Sequence, residues 1–299
     1  MSIVFHFDGT ASLANRVREQ GVTLCPENDE AAFERLLPDM EVIWHVLKPV
    51  TAEVIARAPK LKLIQKIGVG VNTIDIEAAK QRGIAVCNLP GTNSRAVAEM
   101  TLLLMLACLR QLRAVDSLVR TNGWYDALKM QDQLGEICGR TVGLLGYGAV
   151  PKILHGILIA MGAKVLYWSR SVKNASLEEL LAQADIVSLH LPLSPGTANF
   201  LDPRAMKRGS ILVNTARGGL VDEAALVEAL ESGHIAAAGL DVFATEPLPD
   251  NHPLLSRHNV ICAPHIAWLT GETLERSIAA ALENVRRLNA GEALLNRVA

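Results

Sequence analysis

Three things are scarce in these 299 residues, and each scarcity removes a class of function. The first is any long apolar run. Met100 to Leu109 and Ile153 to Ala163 are the most apolar of the chain's uncharged stretches. Both fall well short of the roughly 20 residues that span hydrocarbon. The N-terminal apolar run Ile3-Val4-Phe5 has no basic segment before it and Asp8 soon after, so no export signal is expected. The second is basic excess. Lys and Arg number 29 against 31 Asp and Glu, a net charge of -2. A nucleic-acid or anionic-membrane binder needs a basic surface, and only the isolated pair Arg286-Arg287 approaches one. The third is paired cysteine. Cys25, Cys87, Cys108, Cys138 and Cys262 are odd in number, scattered and never in a C-x-x-C pair. They read as reduced, mostly buried thiols of a cytoplasmic protein without a metal site.

What is present is apolar and regular. Half of the residues are hydrophobic, enough for one large domain or two ordinary ones. Short apolar runs alternate with turns and helical stretches. Strands are predicted at Ile3-Phe7, Val42-Trp44, Leu63-Ile67, Ala85-Cys87, Val142-Leu145, Lys164-Tyr167, Ile186-Leu189, Ile211-Asn214, Ala237-Leu240 and Val260-Cys262. Most are continuous apolar runs, which suits strands of a parallel sheet covered on both faces. Helices are predicted at Thr51-Ala58, Ile74-Arg82, Lys152-Met161, Leu177-Gln183, Glu223-Ser232 and Thr270-Asn289. The alternation implies an α/β fold. From Ser94 to about Val119 there is no Gly or Pro, which predicts one helix over 35 Å long, suited to joining two domains. Two lobes with parallel sheets are expected: residues 1–94 with 271–299, and an inserted lobe, 95–270. Repeats, low-complexity tracts and Pro/Ser-rich linkers are absent.

The segment Thr141-Val-Gly-Leu-Leu-Gly-Tyr-Gly-Ala-Val-Pro151 closes a strand and opens a helix. A plain glycine turn has the same pattern. The order strand, turn, helix favours a pyrophosphate site over it. Gly146 permits the turn, Gly148 lets backbone approach phosphate, and the helix N-terminus offers free N–H groups at Tyr147, Ala149 and Val150. Pro151 replaces the usual third glycine, and proline is tolerated in a first helical turn. The next strand ends Leu166-Tyr167-Trp168-Ser169-Arg170-Ser171, with no carboxylate for ribose hydroxyls. Arg170 between Ser169 and Ser171 suits a 2′-phosphate, which favours NADP(H) over NAD(H). An exposed surface arginine is the bland alternative.

Five further ordered segments complete the picture: Leu61 to Asp75, containing Gly68-Val69-Gly70; Asn88-Leu-Pro-Gly-Thr-Asn-Ser-Arg-Ala-Val-Ala-Glu99; Asn214-Thr-Ala-Arg-Gly-Gly-Leu-Val-Asp222; Gly239-Leu-Asp-Val-Phe-Ala-Thr-Glu-Pro247; and Pro264-His-Ile-Ala-Trp268. With the glycine turn, these resemble the D-2-hydroxyacid dehydrogenases, in particular their glyoxylate/hydroxypyruvate reductase branch. The resemblance implies a Rossmann-like cofactor domain inserted into a flavodoxin-like substrate-binding domain, and a homodimer formed through the cofactor domain. It implies Arg217 as the guanidinium that meets a carboxylate and its adjacent carbonyl. His265 becomes the general acid that protonates the carbonyl oxygen, and Glu246 the carboxylate that favours its imidazolium. His190, Leu191, Pro192, Thr197, Thr215, Ala216, Asp241 and Ala267 are then expected along the cofactor, although a structural role fits His190 equally well. Main-chain N–H groups at Val69 and Gly70 are expected to hold the substrate carboxylate, with Leu47 and Trp268 shaping the pocket. Asn72 and Met100 depart from the family's common Asp and His, away from the chemistry.

Small 2-keto acids such as glyoxylate, hydroxypyruvate or pyruvate are the expected substrates. A 3-phosphoglycerate dehydrogenase ranks lower, because the loop after Val42 offers Lys48 but no Arg for a phosphate and no added regulatory domain is seen. A formate dehydrogenase is expected to be longer, with another partner for the histidine. A dinucleotide-sensing binding protein without turnover is the alternative from another class.

Overall fold

The computed structural model describes residues 1–299 and divides into two compact units, Met1–Asn93 with Thr270–Ala299, and Ser94–Leu269. The first unit holds β1 (Ile3–His6), α1 (Ala11–Glu19), β2 (Val22–Cys25), α2 (Glu30–Leu36), β3 (Val42–His45), α3 (Ala52–Arg57), β4 (Leu63–Lys66), α4 (Ile76–Gln81) and β5 (Ala85–Cys87). All neighbours in its sheet are parallel, in the order β2-β1-β3-β4-β5. The reason the strands read as unbroken apolar runs is visible in their two faces. Val4, Ile43, Ile64 and Val86 pack with Phe33, Ile55 and Ala79 from α2, α3 and α4. Their neighbours Phe5 and Trp44 turn to the opposite face and meet edge to face at 5.7 Å. On that face Asn284 of the last helix donates to Gln65 Oε1 at 2.8 Å, both residues being buried.

Helix starts follow local chemistry. Thr10, Asp29, Thr51 and Asp75 each accept a first-turn N–H of α1 to α4, which satisfies one of the donors a helix leaves open. Two of these helices, α1 and α2, and strand β2 are additions to what the sequence pattern predicts. β2 is an edge strand with Thr23 exposed, so its pattern lacks the continuous apolar run of its neighbours.

The second unit holds α5 (Ser94–Leu109), α6 (Leu112–Arg120), α7 (Trp124–Leu128), β6 (Thr141–Leu145), α8 (Ala149–Ala160), β7 (Lys164–Trp168), α9 (Leu177–Gln183), β8 (Ile186–Leu189), β9 (Ser210–Asn214), α10 (Glu223–Glu231), β10 (Ile235–Leu240), α11 (Pro253–Ser256) and β11 (Val260–Cys262). The long α12 (Gly271–Ala290) returns to the first unit. The second sheet is also parallel throughout, in the order β11-β10-β9-β8-β6-β7. Alternate strand residues again serve two cores. Leu145, Val187 and Leu212 pack against α9 and α10, whereas Leu144, Ile186 and Val213 pack against α5 and α8. Both units are therefore α/β with parallel sheets, as the apolar runs imply.

The expected single helix from Ser94 to Val119 is corrected. It ends at Leu109, and Gln111 takes a left-handed φ of 44° before α6 begins. The packing explains the break. α5 is buried along its length, while α6 has no buried residue, so the chain bends where its supporting surface ends. All five thiols are free and most are buried, as expected: Cys25, Cys87 and Cys108 are buried, while Cys138 and Cys262 are exposed. No helix is long and apolar enough to cross a membrane.

Candidate active site

Because the second sheet is wholly parallel, its strands release their loops along one carboxyl edge. The chain leaves β6 for β7 on one flank and then crosses to β8 on the other. A reversal of this kind is where open α/β sheets bind ligands. Gly146 turns there with a φ of 103°, and a Cβ on it would stand 2.5 Å from the His190 carbonyl oxygen after β8. Only glycine allows that approach. Gly148 precedes α8 with no side-chain cap, and a Cβ there would meet nothing within 4 Å. The first-turn N–H groups of Ala149 and Val150 have no side-chain cap, while Pro151 sits buried in the same turn and has no N–H to lose. A pyrophosphate fits this cradle. Tyr147 is held beside it, stacked on Tyr167 at 3.9 Å with its hydroxyl 2.6 Å from His155 Nδ1.

After β7, Arg170 and Ser171 are exposed. Ser169 differs from expectation in part: its hydroxyl donates to the Val172 carbonyl at 2.6 Å and accepts the Val172 N–H, so it shapes the loop. Lys173 in the same loop is a second cation, which no motif singles out. After β8, burial pushes the His190 imidazole down to about 3, so it is neutral, and its Nε2 lies 3.0 Å from Ser188 Oγ. Leu191 is buried, and Thr197 donates to the Pro192 carbonyl at 2.6 Å, closing that loop.

The three polar residues singled out in sequence occupy loops after β9, β10 and β11. Asn214 ends β9; its Oδ1 accepts the Ala216 N–H and its Nδ2 donates to the Arg217 carbonyl at 2.9 Å. Thr215 lies 2.8 Å, hydroxyl to hydroxyl, from buried Thr101 of α5. Gly218 then lets this loop press against the next one, since a Cβ there would lie 1.9 Å from the Phe243 carbonyl carbon. The Arg217 guanidinium donates to the Ala216 carbonyl at 2.6 Å. Burial lowers its pKa from the ordinary value, and the Glu246 charge acts against that.

Glu246 bridges two loops. Its Oε1 accepts the Phe243 N–H at 2.9 Å and its Oε2 lies 2.7 Å from His265 Nδ1. Burial pushes this carboxyl up, but the His265 hydrogen bond and charge, the Phe243 amide and Arg217 together hold it below the usual range. His265 adopts a left-handed φ of 56°, uncommon for a side chain with a Cβ. The next residues hold it there. Buried Asp241 accepts the N–H groups of Ile266 at 2.9 Å and Ala267 at 2.8 Å, and the buried Trp268 indole donates to the His265 carbonyl at 3.2 Å. Burial raises the Asp241 pKa against those two bonds. Asp241 and Trp268 thus brace the histidine loop, a contribution not visible in sequence. With Nδ1 engaged by the carboxylate, Nε2 is the nitrogen left to exchange a proton with a ligand.

In the first unit, Val69 and Gly70 lie in the turn after β4 and Leu47 in the loop after β3. Val69 is exposed and Leu47 half-buried. Lys66, buried at the end of β4, donates to the Val46 carbonyl and lies 3.3 Å from His45 Nε2, joining the two loops.

Residues 102–267 match the family model of the D-isomer specific 2-hydroxyacid dehydrogenase, NAD binding domain. A glyoxylate reductase of Korarchaeum cryptofilum is 36% identical over 281 residues, covering 89% of this chain and 85% of that protein. The chain belongs to the D-isomer specific 2-hydroxyacid dehydrogenases. The second unit is the family's nicotinamide-dinucleotide-binding domain. A D-3-phosphoglycerate dehydrogenase of Mycobacterium tuberculosis is 43% identical over 257 residues, 81% of this chain. The chain spans about half the length of that relative, 48%. Among solved structures, the TT0316 protein of Thermus thermophilus superposes with a TM-score of 0.90 at 37% identity, with all of both chains covered.

Proposed function

We propose that this chain is an NAD(P)-dependent reductase of small 2-keto acids, glyoxylate or hydroxypyruvate being the best fits, and the corresponding D-2-hydroxyacid dehydrogenase in reverse. The observation that carries the reading is the His265–Glu246 pair beside Arg217, on the loop edge of a dinucleotide-binding sheet. The bound nicotinamide supplies the hydride in reduction and accepts it in oxidation. His265 Nε2 gives its proton to the substrate C2 oxygen, and takes it back in the other direction. Glu246 fixes the ring through Nδ1 and pairs with its positive charge. Arg217 offers two donors of a planar fork to the C2 oxygen and the carboxylate. Val69 and Gly70 N–H groups bind that carboxylate, and Leu47 and Trp268 shape the pocket. The glycine turn, Tyr147 to Val150, receives the pyrophosphate. His190 to Pro192, Thr197, Thr215, Ala216, Asp241 and Ala267 line the remainder of the dinucleotide site.

NADP(H) is favoured over NAD(H). Arg170 is exposed beyond β7, no carboxylate stands between Trp168 and Asn174, and Lys173 adds charge. A phosphorylated substrate, which the mycobacterial relative favours, is the second reading. Against it, Lys48 already donates to the Glu27 carbonyl at 2.6 Å and pairs with Glu30, while the Glu27 carboxylate accepts the Leu47 and Lys48 N–H groups. A negative charge in that loop opposes a phosphate. The protein is proposed to work in the cytoplasm as a homodimer, through the exposed Leu112, Val119, Trp124, Tyr125 and Leu128 of α6 and α7.

NADPH oxidation measured with glyoxylate, hydroxypyruvate, pyruvate and 3-phosphohydroxypyruvate tests the reading. Turnover is expected with the unphosphorylated acids. Tight dinucleotide binding with no turnover of any acid would leave only a sensor.

A further inference from the structure

The segment after β5 carries Asn88-Leu89-Pro90, a motif to which the chemistry above assigns no task. Two of its donors reach the turn after β4. Asn88 Nδ2 donates to the Val69 carbonyl at 2.8 Å, and the Leu89 N–H donates to the Gly68 carbonyl at 2.8 Å. The peptide bonds from Gly68 to Val69 and from Val69 to Gly70 are both trans. In a trans peptide the carbonyl and the following N–H point in opposite directions. Tying back both carbonyls therefore turns the Val69 and Gly70 N–H groups outward together. Neither N–H has a partner within the chain. Two successive outward N–H groups form a concave anion cradle.

Asn88 is itself anchored. Its own N–H donates to the Asn296 carbonyl at 3.2 Å. On the residue two before it, Val86, the N–H donates to the Ala299 carbonyl at 3.0 Å and the carbonyl accepts the Val298 N–H at 2.7 Å. Leu89 is buried. The amide side chain thus works from a fixed base, while the Val69 it holds is 45% exposed and lies outside the buried core.

We propose that Asn88 is a positioning residue for substrate recognition: it orients the Val69–Gly70 peptide so that its N–H binds the carboxylate of the 2-keto acid. This rests on the reading of the Val69-Gly70 turn as the carboxylate site. Loss of the amide donor frees one peptide plane of the cradle, so the penalty falls on anionic ligands and leaves the dinucleotide untouched.

The test compares glyoxylate with its neutral ethyl ester, and titrates oxalate into the NADPH-loaded protein. Asn88→Ala, and Asn88→Asp with the same size but no amide donor, are each expected to lower kcat/KM for glyoxylate about tenfold, mostly through KM. Oxalate affinity is expected to fall by the same factor, with the ester changed less than about twofold and the NADPH KM unchanged. Equal losses on acid and ester, or an unchanged oxalate affinity, would overturn the assignment. If the wild-type chain turns over neither substrate yet its oxalate affinity falls in both variants, the cradle stands and the reductase reading falls. If the wild-type chain binds no oxalate, both fall.

Discussion

The two units have sheets that begin the same way. Taking strands in chain order within each unit, both run 2-1-3-4-5, and the second adds a sixth strand beyond the fifth. What differs is the residue content of their carboxyl edges. In the second unit, side chains of Arg217, Glu246 and His265 stand in the loops, held by Asn214, Asp241 and Trp268. In the first unit, the titratable residues at the strand ends, His6, His45 and Lys66, are buried, and the main-chain N–H groups of Val69 and Gly70 are left without a partner. On the proposed function, one topology serves two kinds of recognition: proton transfer and charge need tunable side chains, while a carboxylate needs only oriented amides.

This contrast can be broken, and the largest effect is expected at His265. His265→Ala should cut the rate of 2-keto acid reduction by roughly 10²- to 10⁴-fold, the usual range for a general acid, with NADPH affinity by fluorescence titration nearly unchanged. A variant that keeps turnover would move the proton transfer away from the second unit's edge. Next in size, Arg170→Ala should weaken NADPH about ten- to a hundredfold in KM while leaving NADH within about twofold, as expected for losing a charged hydrogen bond. Parallel changes in both cofactors would remove the arginine from 2′-phosphate recognition.

Glu246→Gln should lower the rate of 2-keto acid reduction about tenfold at neutral pH, because the carboxylate that holds His265 Nδ1 is gone. Its own carboxyl is held below the usual range by His265, Phe243 and Arg217 against the push of burial, so in the wild-type protein it is ionised at neutral pH. An unchanged rate would reduce Glu246 to a structural residue.

The smallest effect separates the units by stability. Burial lowers His6 to about 4 and His45 to about 2 in the first unit, with Lys48 adding to the shift of His6 and Lys66 to that of His45. The second unit has His190 at about 3. Each folded value lies below the unfolded 6.5, so the unfolded chain takes up protons first as pH falls. Stability present above pH 6.5 is then lost as pH falls through the window down to each folded value, by at most about 1.4 kcal/mol per histidine per pH unit. With two such groups against one, the first unit should unfold first on acidification below pH 6, read by hydrogen exchange of its strand amides. His6→Phe should flatten that slope, and a second unit that opens first would contradict the comparison.

Much of the fold is legible in the residues themselves. Leu144 and Leu145 face different cores, and such pairs are what make a buried parallel strand an unbroken apolar run. β2 gives no such signal because an edge strand lacks that double burial. The break at Gln111 has no sequence signal either, since no Gly or Pro marks it and only the end of the packing surface decides it. At the site, Arg217, Glu246 and His265 are readable from ordered motifs. The roles of Asn88, Asn214 and Lys66 are not, because they depend on which carbonyls lie opposite them.

The sequence by itself determined the class of fold, the family and the residue types available for chemistry. Those follow from apolar periodicity and from local motifs, which act over a few residues. Only the tertiary structure decided which atoms are committed. It left the Val69 and Gly70 N–H groups without a partner in the chain, tied Ser169 into its own loop and Lys48 to Glu27 and Glu30, and engaged His265 Nδ1 with Glu246. A hydrogen bond depends on distances of a few tenths of an ångström between residues far apart in the chain, and that information exists only once the loops are packed.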